Sequence, residues 1–297
     1  MRAYNSLLKW AFLISAFLFN NNYFHYYRKG FSYNKINYPI LNITLDPGHT
    51  NETNFAKFPA RQGRKDFDTD NDGWIEEYEL NSIVADSLET RLKNDPLINY
   101  VRTKIDGKYT KAFLECLIKN DSLITEMATR ERLPNEPRAY LPVHLGKKVY
   151  NIGVFAENNS DLLLSLHFNK ASWSNNYKGF HVIISPNNEK YKESLELAKI
   201  ISRTFREKGY KISECIPTDP LTETPDSLLK EGIVIRNLAA LGDPGHKLTK
   251  PVVLIECGWL KDYINASDKE IKELSDAVYY SIQEYVIRNN FDGNLYK

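Results

Sequence analysis

The chain has 297 residues, of which 42% are hydrophobic and 26% charged, a composition that is typical of a globular protein and excludes a disordered one. Lys and Arg number 39 against 38 Asp and Glu, so no basic excess attracts nucleic acid, and we expect no nucleic-acid partner. The length allows one or two domains with a sizeable core.

The first element in chain order is an apolar run, residues 10–19, with Arg2 and Lys9 before it and three asparagines after it. The run is about half of the ~20 residues that a membrane-spanning helix needs, and its pattern favours a signal peptide. No small-x-small cleavage site follows, so an uncleaved anchor and a buried N-terminal helix remain alternatives. We predict that residues 1–38 are a signal peptide or N-terminal anchor plus linker. The protein is then exported to the periplasm or cell envelope.

Residues 39–297 alternate between strand and helix patterns. The predicted strands are 40–45, 98–102, 161–168, 179–184 and 252–255. The predicted helices are 76–93, 190–208 and 269–288, with less regular candidates at 111–129 and 150–158, and the predicted loops are 51–73 and 133–142. This alternation predicts a single α/β domain whose mostly parallel, twisted sheet is covered by helices on both faces. We expect a monomer.

The cysteines, Cys116, Cys215 and Cys257, are too few and too scattered for a disulfide framework. An odd count leaves at least one thiol unpaired. Cys257 follows an apolar run, so we predict that it packs as a small core residue.

Residues 68–79 match the pattern of a calcium-binding loop, with acidic residues at the first, third, fifth and twelfth positions and glycine at the sixth. The predicted calcium ligands are the side chains of Asp68, Asp70, Asp72 and Glu79 and the backbone carbonyl of Trp74. No helix pattern enters the loop, and no partner loop follows. The alternative is a solvated acidic turn that caps the next helix.

Three polar side chains stand at predicted strand ends: His49, His167 and Glu256. Functional groups of open α/β sheets gather beyond the carboxyl ends of strands. A lone histidine there is more often structural, but a strand-end carboxylate is expensive to bury unless it is paired or works with a metal. The three together therefore favour a functional site.

Short motifs around these residues carry a family resemblance. They are the sequence Asp-Pro-Gly-His at 46–49, Ser-Leu-His-Phe-Asn at 165–169 followed by Gly179 and Phe180, and Leu-Ile-Glu-Cys-Gly-Trp at 254–259. In this order they resemble the zinc-dependent N-acetylmuramoyl-L-alanine amidases of the amidase-3 type, from about residue 40 to residue 288.

The resemblance implies one catalytic zinc with His49 and His167 as ligands and Glu256 as the catalytic carboxylate. The remaining ligand should be a Glu four residues before an Asn on the first helix, and Glu77 and Asn81 fit. Helix geometry favours the same residue. At ~100° per residue, Glu77 shares the apolar face of the helix, whereas Glu79 points to the opposite side.

The implied reaction is hydrolysis of the amide bond between N-acetylmuramic acid and L-alanine, in a peptidoglycan or muropeptide substrate. Contact with a membrane would come only through the N-terminal anchor. Two alternatives remain: a zinc peptidase of related α/β type, and a non-catalytic module that binds calcium or the cell wall.

The chain departs from the family pattern at several places. Lys104 stands where an Arg often follows the second strand, which predicts altered substrate contacts more than altered zinc binding. Residues 68–79 fall where the family has a shorter gap, so this calcium-type loop is predicted to be an insertion. His181, directly after Phe180, is either a substrate contact or a solvated histidine on the strand face.

Overall fold

We describe the fold from a computed structural model of the chain, which covers residues 40–50, 57–129, 142–169, 178–216, 222–238, 240–242 and 246–291. These residues belong to one unit, Pro39–Lys297. The predicted leader, residues 1–38, and most of the predicted loop 133–142 lie outside the described residues. Within the described part, no helix is long and apolar enough to cross a membrane.

The described residues contain ten strands: β1 (Leu41–Pro47), β2 (Lys57–Pro59), β3 (Trp74–Glu76), β4 (Ile98–Arg102), β5 (Lys104–Ile105), β6 (Lys108–Tyr109), β7 (Leu162–Asn169), β8 (His181–Ile184), β9 (Ile233–Ile235) and β10 (Val252–Trp259). Six of them form the main sheet, in the order β4-β1-β7-β10-β8-β9. Every neighbouring pair in this sheet is parallel except β8 and β10. The pairs β2–β3 and β5–β6 are small antiparallel ribbons. The predicted mostly parallel sheet is confirmed.

The same residues contain eight α-helices: α1 (Glu77–Leu92), α2 (Lys111–Lys119), α3 (Asp121–Thr129), α4 (Val143–Asn159), α5 (Tyr191–Glu207), α6 (Asp226–Leu229), α7 (Leu260–Tyr263) and α8 (Asp268–Phe291). Helices α1, α5 and α8 pack on one face of the sheet and α2, α3 and α4 on the other. Alternate residues of β7 serve the two cores: Leu164 faces the first and Leu163 the second. Cys257 packs in the first core at 1% exposure, as predicted, and all three cysteines are free.

The structure differs from the predicted elements where the sequence signal is short. The predicted helix at 111–129 is two helices that meet at Asn120, the C-cap of α2, whose side-chain amide donates to the Cys116 carbonyl at 2.8 Å. The predicted loop at 51–73 contains β2 and two 3-10 turns. Strand β9 has only three residues, too few to show a periodic pattern. These differences leave the architecture unchanged.

Candidate metal centre and active site

Four residues singled out in the sequence lie at one edge of the main sheet. His49 follows β1, His167 lies near the end of β7, and Glu256 lies in β10, paired in register with His167. Glu77 is the first residue of α1. Side chains from three strands and one helix therefore meet beyond the carboxyl ends of parallel strands, where open α/β sheets bind ligands.

His49, Glu77 and His167 form a close group. Nε2 of His49 lies 3.4 Å from Oε2 of Glu77, and Nδ1 of His167 lies 3.1 Å from Oε1 of Glu77. The two imidazole rings meet edge to face, with centroids 4.9 Å apart. The Phe168 N–H donates to Oε1 of Glu77 at 3.2 Å. Strand β7 thus orients the Glu77 carboxylate, which is 5% exposed.

The electrostatics of this group favour an ionised Glu77. Burial opposes the charge, but His49 and His167 outweigh it and hold the pKa of Glu77 below its usual value. Burial likewise opposes charge on His167, whose pKa is nevertheless raised by the hydrogen bond and charge of Glu77. A carboxylate must be ionised to bind a metal, so Glu77 is in the state that a ligand requires.

The spacing of the three side chains fits a tetrahedral metal ion. One nitrogen of each histidine and one oxygen of Glu77 lie within 4.8 Å of one another. Zinc holds nitrogen and oxygen ligands at about 2.0–2.1 Å, which places the ligand atoms of a tetrahedral site about 3.3 Å apart. The 3.1 and 3.4 Å separations reach different oxygens of Glu77, and each is near that value. Two imidazoles and one carboxylate leave a fourth position for water, as in catalytic zinc sites.

The turn between β1 and His49 is tightly constrained. A Cβ added to Gly48 would lie 2.2 Å from Nε2 of His167, so only glycine lets the His167 ring pack there. His49 has φ +56°, a left-handed conformation that costs a non-glycine residue roughly 1–2 kcal/mol. Two hydrogen bonds hold the Gly48 peptide: its N–H donates to the Leu166 carbonyl at 2.7 Å, and its carbonyl accepts from the Asn81 amide at 2.9 Å.

A buried charge pair lies directly before this turn. The Lys104 ammonium, 1% exposed, donates to Oδ1 of Asp46 at 2.5 Å and to the Pro47 carbonyl at 3.0 Å. Thr103 and Ser165 also donate to the Asp46 carboxylate, at 2.5 and 2.8 Å. Burial alone would raise the pKa of Asp46, but Lys104 and Thr103 outweigh it and lower that pKa. The sequence linked Lys104 to substrate contacts, whereas in the structure it bonds residues that lead to His49. His49, Glu77 and His167 together are called the candidate metal group below.

Glu256 stands between two histidines on neighbouring strands. Its register partner is His167 on β7 and His181 on β8. Burial raises the pKa of Glu256 to about 7, with His167 opposing and Glu77 adding to the shift. Oε2 of Glu256 has no hydrogen-bond partner among the described residues. The chemistry open to such a carboxylate, beside a candidate metal group, is proton transfer near neutral pH.

His181 is fully buried, at 0% exposure, so its interpretation as a solvated histidine is wrong. Burial lowers the pKa of His181 to about 3, and the charge of Arg236 adds to the shift. Nδ1 of His181 lies 3.4 Å from the Asn169 amide nitrogen. The imidazole is therefore neutral and packed beside Glu256.

The acidic loop, residues 68–79, brings its carboxylates into two overlapping groups. Oxygens of Asp68, Asp70 and Glu79 lie within 4.8 Å of one another, and so do those of Asp70, Asp72 and Glu76. Glu76 was missed in the sequence, although it occupies the ninth loop position, which often binds calcium through water. Glu79 points away from the histidines, because it accepts a hydrogen bond from the Thr69 hydroxyl at 2.9 Å.

The acidic loop lacks the entering helix and the partner loop of a calcium-binding hand, and other elements stand in both places. A 3-10 turn, Lys65–Phe67, stands where a calcium-binding hand has its entering helix. Trp74, the remaining predicted ligand, begins β3, and β3 pairs with β2 rather than with a second loop. The loop then ends in α1, whose start is capped by the Glu79 carboxylate accepting from the Glu76 N–H at 2.8 Å.

The fold and this edge of the sheet define a class: an open α/β protein with a candidate hydrolytic metal centre. Comparison with known families makes the assignment specific. The sequence profile described as N-acetylmuramoyl-L-alanine amidase, of the amidase-3 type, matches residues 43–284. The chain belongs to this family, and its membership supports a hydrolase that cleaves an amide bond.

Solved structures with these names share the fold. The N-acetylmuramoyl-L-alanine amidase from Clostridium difficile 630 matches with a TM-score of 0.50 and 17% identity, over 83% of this chain and 97% of that one. The CwlD amidase from Clostridioides difficile, solved in complex with the GerS lipoprotein, gives 0.52 and 17% over 83% and 98%. The apo form of Ami1 from Mycobacterium abscessus gives 0.50 and 16% over 84% and 99%. None of the curated proteins searched matches the chain.

Proposed function

We propose that the chain is a zinc-dependent amidase that hydrolyses the bond between the lactyl group of N-acetylmuramic acid and L-alanine in peptidoglycan. The observation that carries the proposal is the grouping of His49, Glu77 and His167, whose ligand atoms lie within 4.8 Å of one another, with Glu256 in register beside His167. Membership of the amidase family supports the substrate class.

His49, Glu77 and His167 would hold the zinc ion. When bound, zinc polarises the scissile carbonyl and lowers the pKa of a water to about 7. Glu256 takes the proton from the attacking water and passes it to the nitrogen of the departing L-alanine. The register of β7 and β10 places this carboxylate next to His167, so proton transfer and metal binding share one edge of the sheet.

The substitution Glu256→Gln tests the catalytic role. We expect about 10²–10⁴-fold slower release of stem peptides from purified peptidoglycan, since general acid–base catalysis contributes that much, and unchanged zinc content. Undiminished release would contradict the assignment of Glu256. The matched variants His49→Ala and His167→Ala should lose zinc as well as activity, and zinc retained in both would contradict the ligand set.

Mass analysis of the products distinguishes this proposal from a zinc peptidase. An amidase leaves sugar chains with a free lactyl carboxylate and releases peptides that begin with L-alanine. A peptidase cuts within the peptide, and a non-catalytic module releases nothing. A parallel digestion with chelator should give no product, and added zinc should restore it.

We also propose that residues 68–79 bind calcium as a structural ion. The complete loop pattern and the two groups of carboxylate oxygens support this. Burial raises the pKa of Glu79, against its hydrogen bonds from Glu76 and Thr69, so a cation next to it would favour the ionised form.

Thermal unfolding tests the calcium proposal. A ligand that binds only the folded state stabilises it by about 2.7 kcal/mol at 100 times Kd, so calcium should raise the Tm of the zinc-free protein. The paired variant Asp68→Asn with Asp72→Asn should lose that rise. An unchanged Tm in the unmodified protein would leave the solvated acidic turn as the correct interpretation.

The proposed substrate and the N-terminal pattern support export to the cell envelope. Fractionation of cells that express the full chain tests this, with a variant lacking residues 1–22 as the control. Recovery of the full chain in the cytoplasm alone would contradict it.

A further inference from the structure

Lys104 and Asp46 form a buried ion pair whose burial is not accounted for by a gain in stability. Both side chains are 1–2% exposed, and a buried ion pair is often no more stabilising than well-packed apolar residues of the same volume. Lys104 enters this interior from β5, the short strand that follows β4, and its ammonium also lies 5.4 Å from the centre of the Tyr109 ring. The pair therefore needs another explanation.

Lys104 joins two successive residues at the end of β1. Its ammonium bonds the Asp46 side chain at 2.5 Å and the Pro47 carbonyl at 3.0 Å. The next two residues are Gly48, which packs against the His167 ring, and His49, which has φ +56°. An apolar side chain could fill the volume of Lys104 but could not donate a hydrogen bond to the Pro47 carbonyl.

We propose that Lys104 is a positioning residue for the metal group: it fixes the end of β1, and thereby the direction in which His49 presents Nε2 to the ion. This inference rests on the proposed zinc site. Groups that orient metal ligands typically change metal affinity by about 10–100-fold when they are removed. Lys104 acts only through Asp46 and Pro47.

If Lys104 acted only through its charge, removing it would not weaken zinc binding. If it acts by orienting His49, removing it weakens zinc binding, so the zinc affinity distinguishes the two. Removing a positive charge near a bound cation strengthens or leaves unchanged its binding by Coulomb's law. Losing the fixed orientation of His49 weakens it. Lys104→Met removes both the charge and the bond to the Pro47 carbonyl while keeping a long apolar side chain.

The experiment measures the zinc Kd of folded, metal-free protein by competition with a chromophoric chelator, together with the Tm. We expect about 10–100-fold weaker zinc binding in Lys104→Met. Lys104→Arg, which keeps the charge and donors, should retain binding close to the unmodified protein. If Lys104→Met does not fold, the double variant with Asp46→Asn, which removes both charges, takes its place with the same expected loss.

Arg102→Met is the matched control. Arg102 lies two residues before Lys104 and has a partly buried ion pair with Glu89 at 3.0 Å, and its side-chain ion pairs are with α1 rather than with Asp46 or the Pro47 carbonyl. It should lower the Tm and leave the zinc Kd unchanged.

Zinc binding in Lys104→Met that is equal to or tighter than that of the unmodified protein would overturn the inference. Equal weakening in Arg102→Met would also overturn it, since any lost ion pair would then suffice. A failure of the unmodified protein to bind zinc would instead contradict the proposed function.

Discussion

Two candidate metal regions meet within residues 68–79, at the start of α1, and they are built in opposite ways. The group of His49, Glu77 and His167 takes its members from the end of β1, the start of α1 and the end of β7. The acidic loop takes all its members from residues 68–79 and satisfies them locally, for example through the Trp74 N–H donating to Asp72 at 2.8 Å. Glu77 belongs to the first region, and its neighbours Glu76 and Glu79 belong to the second.

The difference concerns what each region depends on. In the first, Glu77 is buried and the two histidines are partly exposed, and the geometry depends on the packing of the sheet and of α1 against it. The second is largely exposed at Asp70 and Asp72, and its shape depends on hydrogen bonds within the loop. A substitution in one region should therefore leave the metal affinity of the other unchanged, although the two regions meet in the first turn of α1.

The largest expected effect comes from comparing separate Gln substitutions of Glu77 and Glu79, the two glutamates of that turn that belong to different regions. Glu77→Gln should weaken zinc binding by more than about 100-fold, since even groups that only orient metal ligands change affinity by up to that factor. Glu79→Gln should leave zinc binding unchanged and remove the rise of Tm with calcium. Isothermal titration measures the zinc affinity of each variant, and thermal unfolding with and without calcium measures the rise of Tm. Loss of zinc binding in Glu79→Gln would show that the regions are not independent.

A pair of glycines gives the next effect. Gly48→Ala places a Cβ 2.2 Å from the His167 ring, so we expect lower zinc affinity together with a lower Tm. A Cβ added at Gly73 meets no atom within 4 Å, but the residue has φ +90°. Gly73→Ala should therefore lower the free energy of unfolding by only roughly 1–2 kcal/mol, and of the two metal affinities it should change only that for calcium. Metal affinities and chemical denaturation of both variants check this. Equal zinc affinities in the two variants would contradict the importance of the close approach at Gly48.

The smallest effect is expected from Tyr78→Phe. The Tyr78 hydroxyl donates to Oδ2 of Asp70 at 2.7 Å, and losing one such hydrogen bond costs about 0.5–1.5 kcal/mol. The Tm should fall by a few degrees, as differential scanning calorimetry can measure, with the zinc Kd unchanged. Because Tyr78 lies between Glu77 and Glu79, a change in zinc affinity here would reveal coupling through the first turn of α1.

The sequence predicted the elements that have strong periodic patterns. Strand β4 was predicted with its observed limits and α1 within about one residue. For α1 the reason is that apolar residues recur at helix spacing. The resemblance to the amidases supplied the candidate ligands, and the helix periodicity chose Glu77. Spacing alone could not show that the ligand atoms of Glu77 and the two histidines lie within 4.8 Å of one another.

What the sequence could not predict depends on contacts between distant segments. Lys104 was linked to substrate contacts, and only the structure shows it bonded to Asp46 of β1, the strand that pairs with β4. His181 was expected either to contact substrate or to be solvated, and its 0% exposure in the folded chain excludes the solvated alternative. Glu76 is the exception, because its loop position was readable from the calcium pattern.

The strand order β4-β1-β7-β10 also determines when His49, Glu77 and His167 could first come together during folding. β1 and β7 are far apart in sequence yet adjacent in the sheet, and parallel pairing across such distances forms slowly. The acidic loop needs only local contacts and can form early. A molecule with incompletely paired central strands would then carry the loop but not the group of His49, Glu77 and His167. If that group holds zinc as proposed, retained zinc would mark the molecules that have completed their central sheet.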